Sequence, residues 1–143
     1  MMIDSDERPL TGGCQCGSVR YEISAEPLNL YACHCGECRK QSGSSFGMSL
    51  IVPRAAFKIT VGEPKCWSRS SAQGSDVRCW FCPDCGSRLY HASSSWPEEL
   101  SVKAGTVDQP IEAAAAIHIW TAYGLPSTPI PMGATTFPFE PDA

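Results

Sequence analysis

The sequence predicts an all-β single domain with little helix. Three observations carry that expectation. Short stretches alternate apolar and polar residues with the period of half-buried strands. Clusters of Gly, Pro and Ser separate them. Seven of the nine cysteines fall into a C-x-C, a C-x-C-x-x-C and a C-x-x-C group, and 143 residues suit one core that gains from a metal staple.

In chain order, residues 1–9 are polar and read as frayed, and Thr11-Gly12-Gly13 opens the ordered part with a turn. Cys14-Gln15-Cys16-Gly17 follows. Ser18 to Ser24 puts Val19, Tyr21 and Ile23 on one face of a strand, and Leu28 to Ala32 forms a second strand that delivers the chain to Cys33. Glu37 to Ser42 suits a short helical turn ended by Gly43. Ser45 to Val52 reads as a strand stopped by Pro53, and Phe57 to Val61 alternates cleanly. Lys65 to Arg69 and Asp76 to Phe81 make a hairpin around Ala72-Gln73-Gly74. Ser87 to His91, Leu100 to Ala104 and Ile117 to Thr121 complete the strands, while Glu112 to Ala116 is too short for an independent helix. Five prolines between Pro126 and Pro141 favour an extended tail or linker over a packed element.

Composition excludes several classes of function. The net charge is −4 and the 11 Lys and Arg are scattered, so no basic field invites nucleic acid. No apolar run approaches the roughly 18 residues that span a bilayer, and the acidic start, Met1 to Glu7, is unlike an export signal. The reading is a cytoplasmic protein without a membrane partner. An odd count of nine cysteines argues against a disulfide framework and for metal binding.

Cys82-x-x-Cys85-Gly86 has the form of a metal-binding knuckle: Pro83 presets φ, and Gly86 lets the chain curl so that backbone N–H groups aim at sulfur. A knuckle supplies two ligands, and Cys14-x-Cys16 supplies two more from one face of an extended segment. The alternative is buried, unligated thiols. This assignment leaves Cys33, Cys35 and Cys38 as a three-thiolate group. Structural zinc takes four protein ligands, whereas catalytic zinc takes three and keeps an open position. One four-ligand site drawn from both groups, or His34 as a fourth ligand, stays open as an alternative, although His34 in an extended C-H-C projects opposite its neighbours. Cys66 and Cys79 come directly opposite each other in a hairpin centred between Ala72 and Gln73, as two buried thiols or as a redox pair. His91 and His118 read as isolated strand residues, and Trp67, Trp80, Trp96 and Trp120 read as core.

Gly13-Cys14-x-Cys16-Gly17, Cys33-His34-Cys35-x-x-Cys38-Arg39-Lys40-x-x-Gly43 with Phe46, and Phe81-Cys82-x-x-Cys85-Gly86-Ser87 together resemble the glutathione-dependent formaldehyde-activating enzyme (Gfa) family. Gly105-Thr106-Val107-Asp108 and His118-Ile119-Trp120 extend the resemblance, which covers residues 12–120. It implies a compact Mss4-like (β-tent) fold with two zinc ions. By that resemblance Cys14, Cys16, Cys82 and Cys85 hold a structural zinc and Cys33, Cys35 and Cys38 a catalytic one, agreeing with the partition by spacing. The expected organisation is a flexible stretch 1–11, a zinc-binding domain 12–125 and a Pro-rich tail 126–143.

The implied reaction adds a small thiol such as glutathione to formaldehyde or a related small aldehyde, giving an S-hydroxymethyl adduct, in the carbon-sulfur lyase class. An open thiolate-zinc suits it, because coordination deprotonates a thiol at neutral pH. Arg39 and Lys40 are candidates to pair with substrate carboxylates and the backbone at Gly43 and Ser44 to donate hydrogen bonds; a solvated charged face is the alternative. Thr121 to Pro126 departs from the Lys-Ala-Pro-Trp-like stretch common in the family. The rival reading is a non-catalytic, zinc-stabilised binding module.

Overall fold

A computed structural model describes residues 2–3 and 8–141. Two sheets form around one core. The smaller is antiparallel, in the order β1 (Leu10–Gly13), β2 (Arg20–Ile23), β5 (Phe57–Val61). The larger runs β10 (Ile117–Ile119), β3 (Asn29–Cys33), β4 (Gly47–Pro53), β9 (Glu99–Lys103), β8 (Arg88–Ser93), β7 (Asp76–Phe81), β6 (Lys65–Ser70). Its pairs are antiparallel except β10 with β3. Among the described residues the one α-helix, α1 (Gly36–Ser42), lies between β3 and β4. The fold is therefore all-β with little helix, as the alternation requires.

Register explains what each face of the large sheet does, because directly paired residues share a face and neighbours in sequence do not. Trp80, Tyr90, Val102, Leu50 and Leu30 pair across β7, β8, β9, β4 and β3 as one apolar row. That row meets the small sheet, with the Phe57 ring 4.6 Å from Tyr90 and 5.1 Å from Tyr21. Ile23, Leu50 and Val102 are fully buried there. Such burial contributes about 1.5–3 kcal/mol per side chain. The adjacent row, Cys79, His91 and Ser101, then Lys103 and Ser49, then Tyr31 and Cys33, lies on the opposite face.

Several elements differ from expectation. The first strand starts at Leu10 instead of a turn at Thr11, since Leu10 and Gly12 pair with Ile23 and Tyr21. Of the stretch expected to fray, residues 1 and 4–7 lie outside the described residues, and Ile3 is buried and bridges to Ile111. The β6–β7 hairpin is centred on Gln73, so Cys79 faces Trp67 and Cys66 faces Trp80. A five-residue connection, closed by Ser71 N–H to the Ser75 carbonyl, slips the register by one and puts the two thiols on opposite faces. The pairing that a redox couple needs is therefore not present. Trp67 and Trp96 are half exposed, not core.

The proline-rich end is extended, as its prolines dictate, but it is not a free linker. His118 N–H donates to the Thr135 carbonyl and Phe137 N–H to that of His118, with Trp120, Thr121 and Ala122 donating to Phe139, Phe137 and Pro138. Phe139 packs edge-on against Trp120.

Candidate metal centre

The connection after β1 carries Cys14 and Cys16, and the connection after β7 carries Cys82 and Cys85. These loops meet, and the four sulfurs lie within 4.8 Å of one another. Cys16 Sγ stands 3.7 Å from that of Cys14 and 3.8 Å from that of Cys82. Backbone amides aim at the cluster as the knuckle geometry requires. Val19 N–H donates to Cys14 Sγ at 3.3 Å, and the N–H groups of Asp84 and Cys85 donate to Cys82 Sγ at 3.4 Å. Gly86, at φ 78°, supplies the left-handed residue that completes the turn. The Ser87 hydroxyl and amide pull the Cys85 thiol down to about 5. Donors that stabilise thiolate make these residues fit for a cation.

Cys33 ends β3, and Cys35 caps α1, its sulfur accepting from Cys38 N–H at 3.4 Å. Their three sulfurs also lie within 4.8 Å of one another, and no fourth His, Cys, Asp or Glu ligand atom joins them among the described residues. Gly47 makes the approach possible: a Cβ there would meet the Cys38 carbonyl at 3.2 Å and its Cβ at 3.3 Å. Sulfurs this close titrate together. Hydrogen bonds from Cys33 and then Cys38 pull Cys35 down to about 2, and the bond to Cys35 drives Cys33 far above the ordinary thiol range. For Cys38 the bond to Cys33 lowers the value, but the bond to Cys35 and burial outweigh it and push it up to about 11. Three thiolates ionise fully here only when a cation shares their charge.

His34 projects away from these sulfurs. Its Nε2 bonds His118 Nδ1 at 2.8 Å, and both residues are buried, 1% and 2% exposed. His118 is therefore not isolated. The parallel pairing of β10 with β3 brings it there, with the Phe46 ring tilted against His34 at 5.0 Å and edge-on to His118 at 5.6 Å. The segment that departs from the family pattern sits beside the pair, since a Cβ on Gly124 would lie 3.3 Å from His34 Nδ1. Arg39 donates to the Tyr123 carbonyl, and the N–H groups of Gly43 and Ser44 both bond the Arg39 carbonyl. Lys40 is exposed. Lys103, 8% exposed at the end of β9, was not among the candidates from sequence; only its strand register reveals that it faces the Cys33 side of the sheet.

Fold and site together define a small β-sheet protein with two cysteine clusters, each able to hold a metal ion. A family model described as glutathione-dependent formaldehyde-activating enzyme matches residues 9–123, and the chain belongs to that family. Relatives from Emericella nidulans and Penicillium rubens, whose name, glutathione-dependent formaldehyde-activating enzyme, is itself provisional, are 30% and 32% identical over 79 residues. Those matches cover 54% of this chain and 39% and 40% of the relatives, so the chain spans about two fifths of their length. A crystal structure of a Rhodobacter sphaeroides protein, 21% identical, superposes with a TM-score of 0.56 over 89% of this chain and 98% of that one. That likeness concerns the fold. No helix of the described residues is long and apolar enough to cross a membrane.

Proposed function

We propose that the protein is a zinc-dependent carbon-sulfur lyase-class enzyme that adds a small thiol, glutathione or similar, to formaldehyde or a related small aldehyde. The observation that carries this reading is the contrast between the two clusters, four sulfurs in one and three in the other. Four sulfurs at about 2.3 Å from a zinc stand about 3.8 Å apart along the edges of the tetrahedron. The separations of 3.7 and 3.8 Å in the Cys14, Cys16, Cys82, Cys85 cluster suit a closed structural site of that kind. Cys33, Cys35 and Cys38 suit an open one. A zinc held there would supply the positive charge that keeps a substrate thiol ionised at neutral pH.

In the addition, the thiol sulfur bonds to the aldehyde carbon, the carbonyl π pair moves to oxygen, and a proton ends on that oxygen. Cys33, Cys35 and Cys38 supply the binding site; the Cys38 amide holds the Cys35 sulfur in place. The bonded His34 and His118 rings keep His34 turned from the sulfurs, so it does not close the fourth position. Arg39 and Lys40, on α1 beside the cluster, are the proposed contacts of a substrate carboxylate. The amides of Gly43 and Ser44 already end the helix and are left a structural part. Nine unpaired thiols suit a reducing compartment such as the cytoplasm.

Because the addition also proceeds without a catalyst, the test is a comparison of rates. Exchange NMR on glutathione and formaldehyde is expected to show faster adduct formation and breakdown with protein than in buffer, and the Cys38→Ser variant is expected to match buffer. Equal rates with wild-type protein and buffer overturn the catalytic reading.

A further inference from the structure

Three polar side-chain atoms of the described residues are buried without a hydrogen-bond partner: Gln41 Oε1, Arg69 Nε and His91 Nε2. Burying such a group unpaired costs about 1–3 kcal/mol, so three in one molecule call for an explanation. Register places two of them on one surface. Arg69 pairs with Val77, which shares a face with Cys79; Cys79 pairs with His91, and His91 with Ser101, two residues before Lys103. This is the face of the large sheet opposite the core, the one that carries Cys33. The third belongs to the helix above it. Gln41 is one turn from Glu37 on α1, and Glu37 Oε2 lies 3.5 Å from Arg69 Nε, close enough for an ion pair but too poorly aligned for a hydrogen bond.

Lys103 completes the strip. It is 8% exposed, a largely buried cation at the end of β9. Strand register puts it on the face that carries Cys33 and Cys79. Burial first, then the charges of Lys103, Arg69 and Arg88, push the His91 imidazole down to about 3, so the ring stays neutral beside them. On this face Lys103 and Arg69 carry positive charge, and the carboxylate paired with Arg69 is that of the mostly exposed Glu37.

We propose that this strip, Lys103, His91 and Arg69 with Gln41 above them, binds a carboxylate and a neighbouring N–H of a peptidic thiol whose sulfur sits at Cys33, Cys35 and Cys38. The donor inventory fits that class: Lys103 and Arg69 offer N–H to a carboxylate, and Gln41 Oε1 needs a donor such as an amide. The reach from the cluster to Lys103 fits as well. β3 and β9 are separated by β4 alone. Two strand spacings are about 10 Å, and two extended residues span about 7 Å, leaving a gap that a lysine side chain covers. The inference rests on the thiol-addition reading and adds, to the Arg39 and Lys40 contacts proposed there, a second place for a carboxylate of the same substrate.

Calorimetry on the zinc-loaded protein without aldehyde tests it, using glutathione and its diethyl ester, which has the same thiol with both carboxylates masked. Wild-type protein is expected to bind glutathione at least tenfold more tightly than the ester. Lys103→Gln and Arg69→Gln are each expected to weaken glutathione by tenfold or more and the ester by less than twofold, with zinc content and circular dichroism unchanged. Arg69 lies on the edge strand β6, so its variant serves if Lys103→Gln does not fold. Equal binding of the two ligands, or equal loss of both in the variants, overturns the subsite and leaves thiol addition standing. If wild-type protein binds neither ligand, both fall.

Discussion

His34 shows what a single residue contributes here: it lies between two sulfurs in sequence yet bonds to another imidazole 84 positions away. The C-H-C spacing indicates only that its side chain leaves the sulfur face. Its partner depends on a parallel pairing that no local pattern encodes. Replacing His118 with Leu strands His34 Nε2 and is expected to lower stability by about 1–3 kcal/mol in urea denaturation, with the metal content unchanged. Gly62 has φ 78°, and a Cβ there would lie 2.0 Å from the Ser18 carbonyl oxygen. Gly62→Ala is therefore expected to cost about 3 kcal/mol, a loss the same denaturation experiment reads. His91 adds a pH dependence. Its folded value near 3 is below the unfolded 6.5, so the unfolded chain binds the extra proton. The stability that neutral His91 contributes is complete above about pH 6.5 and is lost as pH falls toward 3. The His91→Asn variant is expected to show a shallower decline over that window.

Elements were legible where their pattern is local and illegible where partners are distant. Phe57 to Val61 and Asp76 to Phe81 carry clean alternation and turn residues at their ends, and both strands form with those limits. Glu37 to Ser42 with Gly43 gives α1 to within one residue, because a left-handed glycine ends the helix. The hairpin register was missed by one position, and that slip alone separates Cys66 from Cys79. Prolines in the C-terminal segment signal extension but not docking, which depends on the free edge of β10. A chain ended at Gly133 removes the five backbone bonds between residues 118–122 and 135–139. At about 1 kcal/mol each, less the ordering entropy of the segment, the loss is expected to be at least ~2 kcal/mol and visible as a lower melting temperature.

For the molecule as a whole, the cysteine partition was the most legible feature, since residue type and short spacing both enter directly. The sheet's opposite face was the least legible, because Lys103, His91 and Arg69 come together only through the order β9, β8, β7, β6. The two clusters also have different mechanical parts. Cys14, Cys16, Cys82 and Cys85 tie the β1–β2 turn of the small sheet to the β7–β8 turn of the large one, whereas Cys33, Cys35 and Cys38 lie within one β–α connection. Structural zinc contributes an apparent ~10–16 kcal/mol, so losing the first is expected to loosen the fold and losing the second to leave it intact. Metal content by native mass spectrometry, read beside circular dichroism for wild type, Cys82→Ser and Cys38→Ser, tests this most directly. Two zinc ions per chain, a Cys38→Ser variant that keeps one and stays folded, and a Cys82→Ser variant that loses structure are the expected results. One zinc in the wild type, or a Cys38→Ser variant that loses metal and fold together, would contradict the division into a closed and an open site.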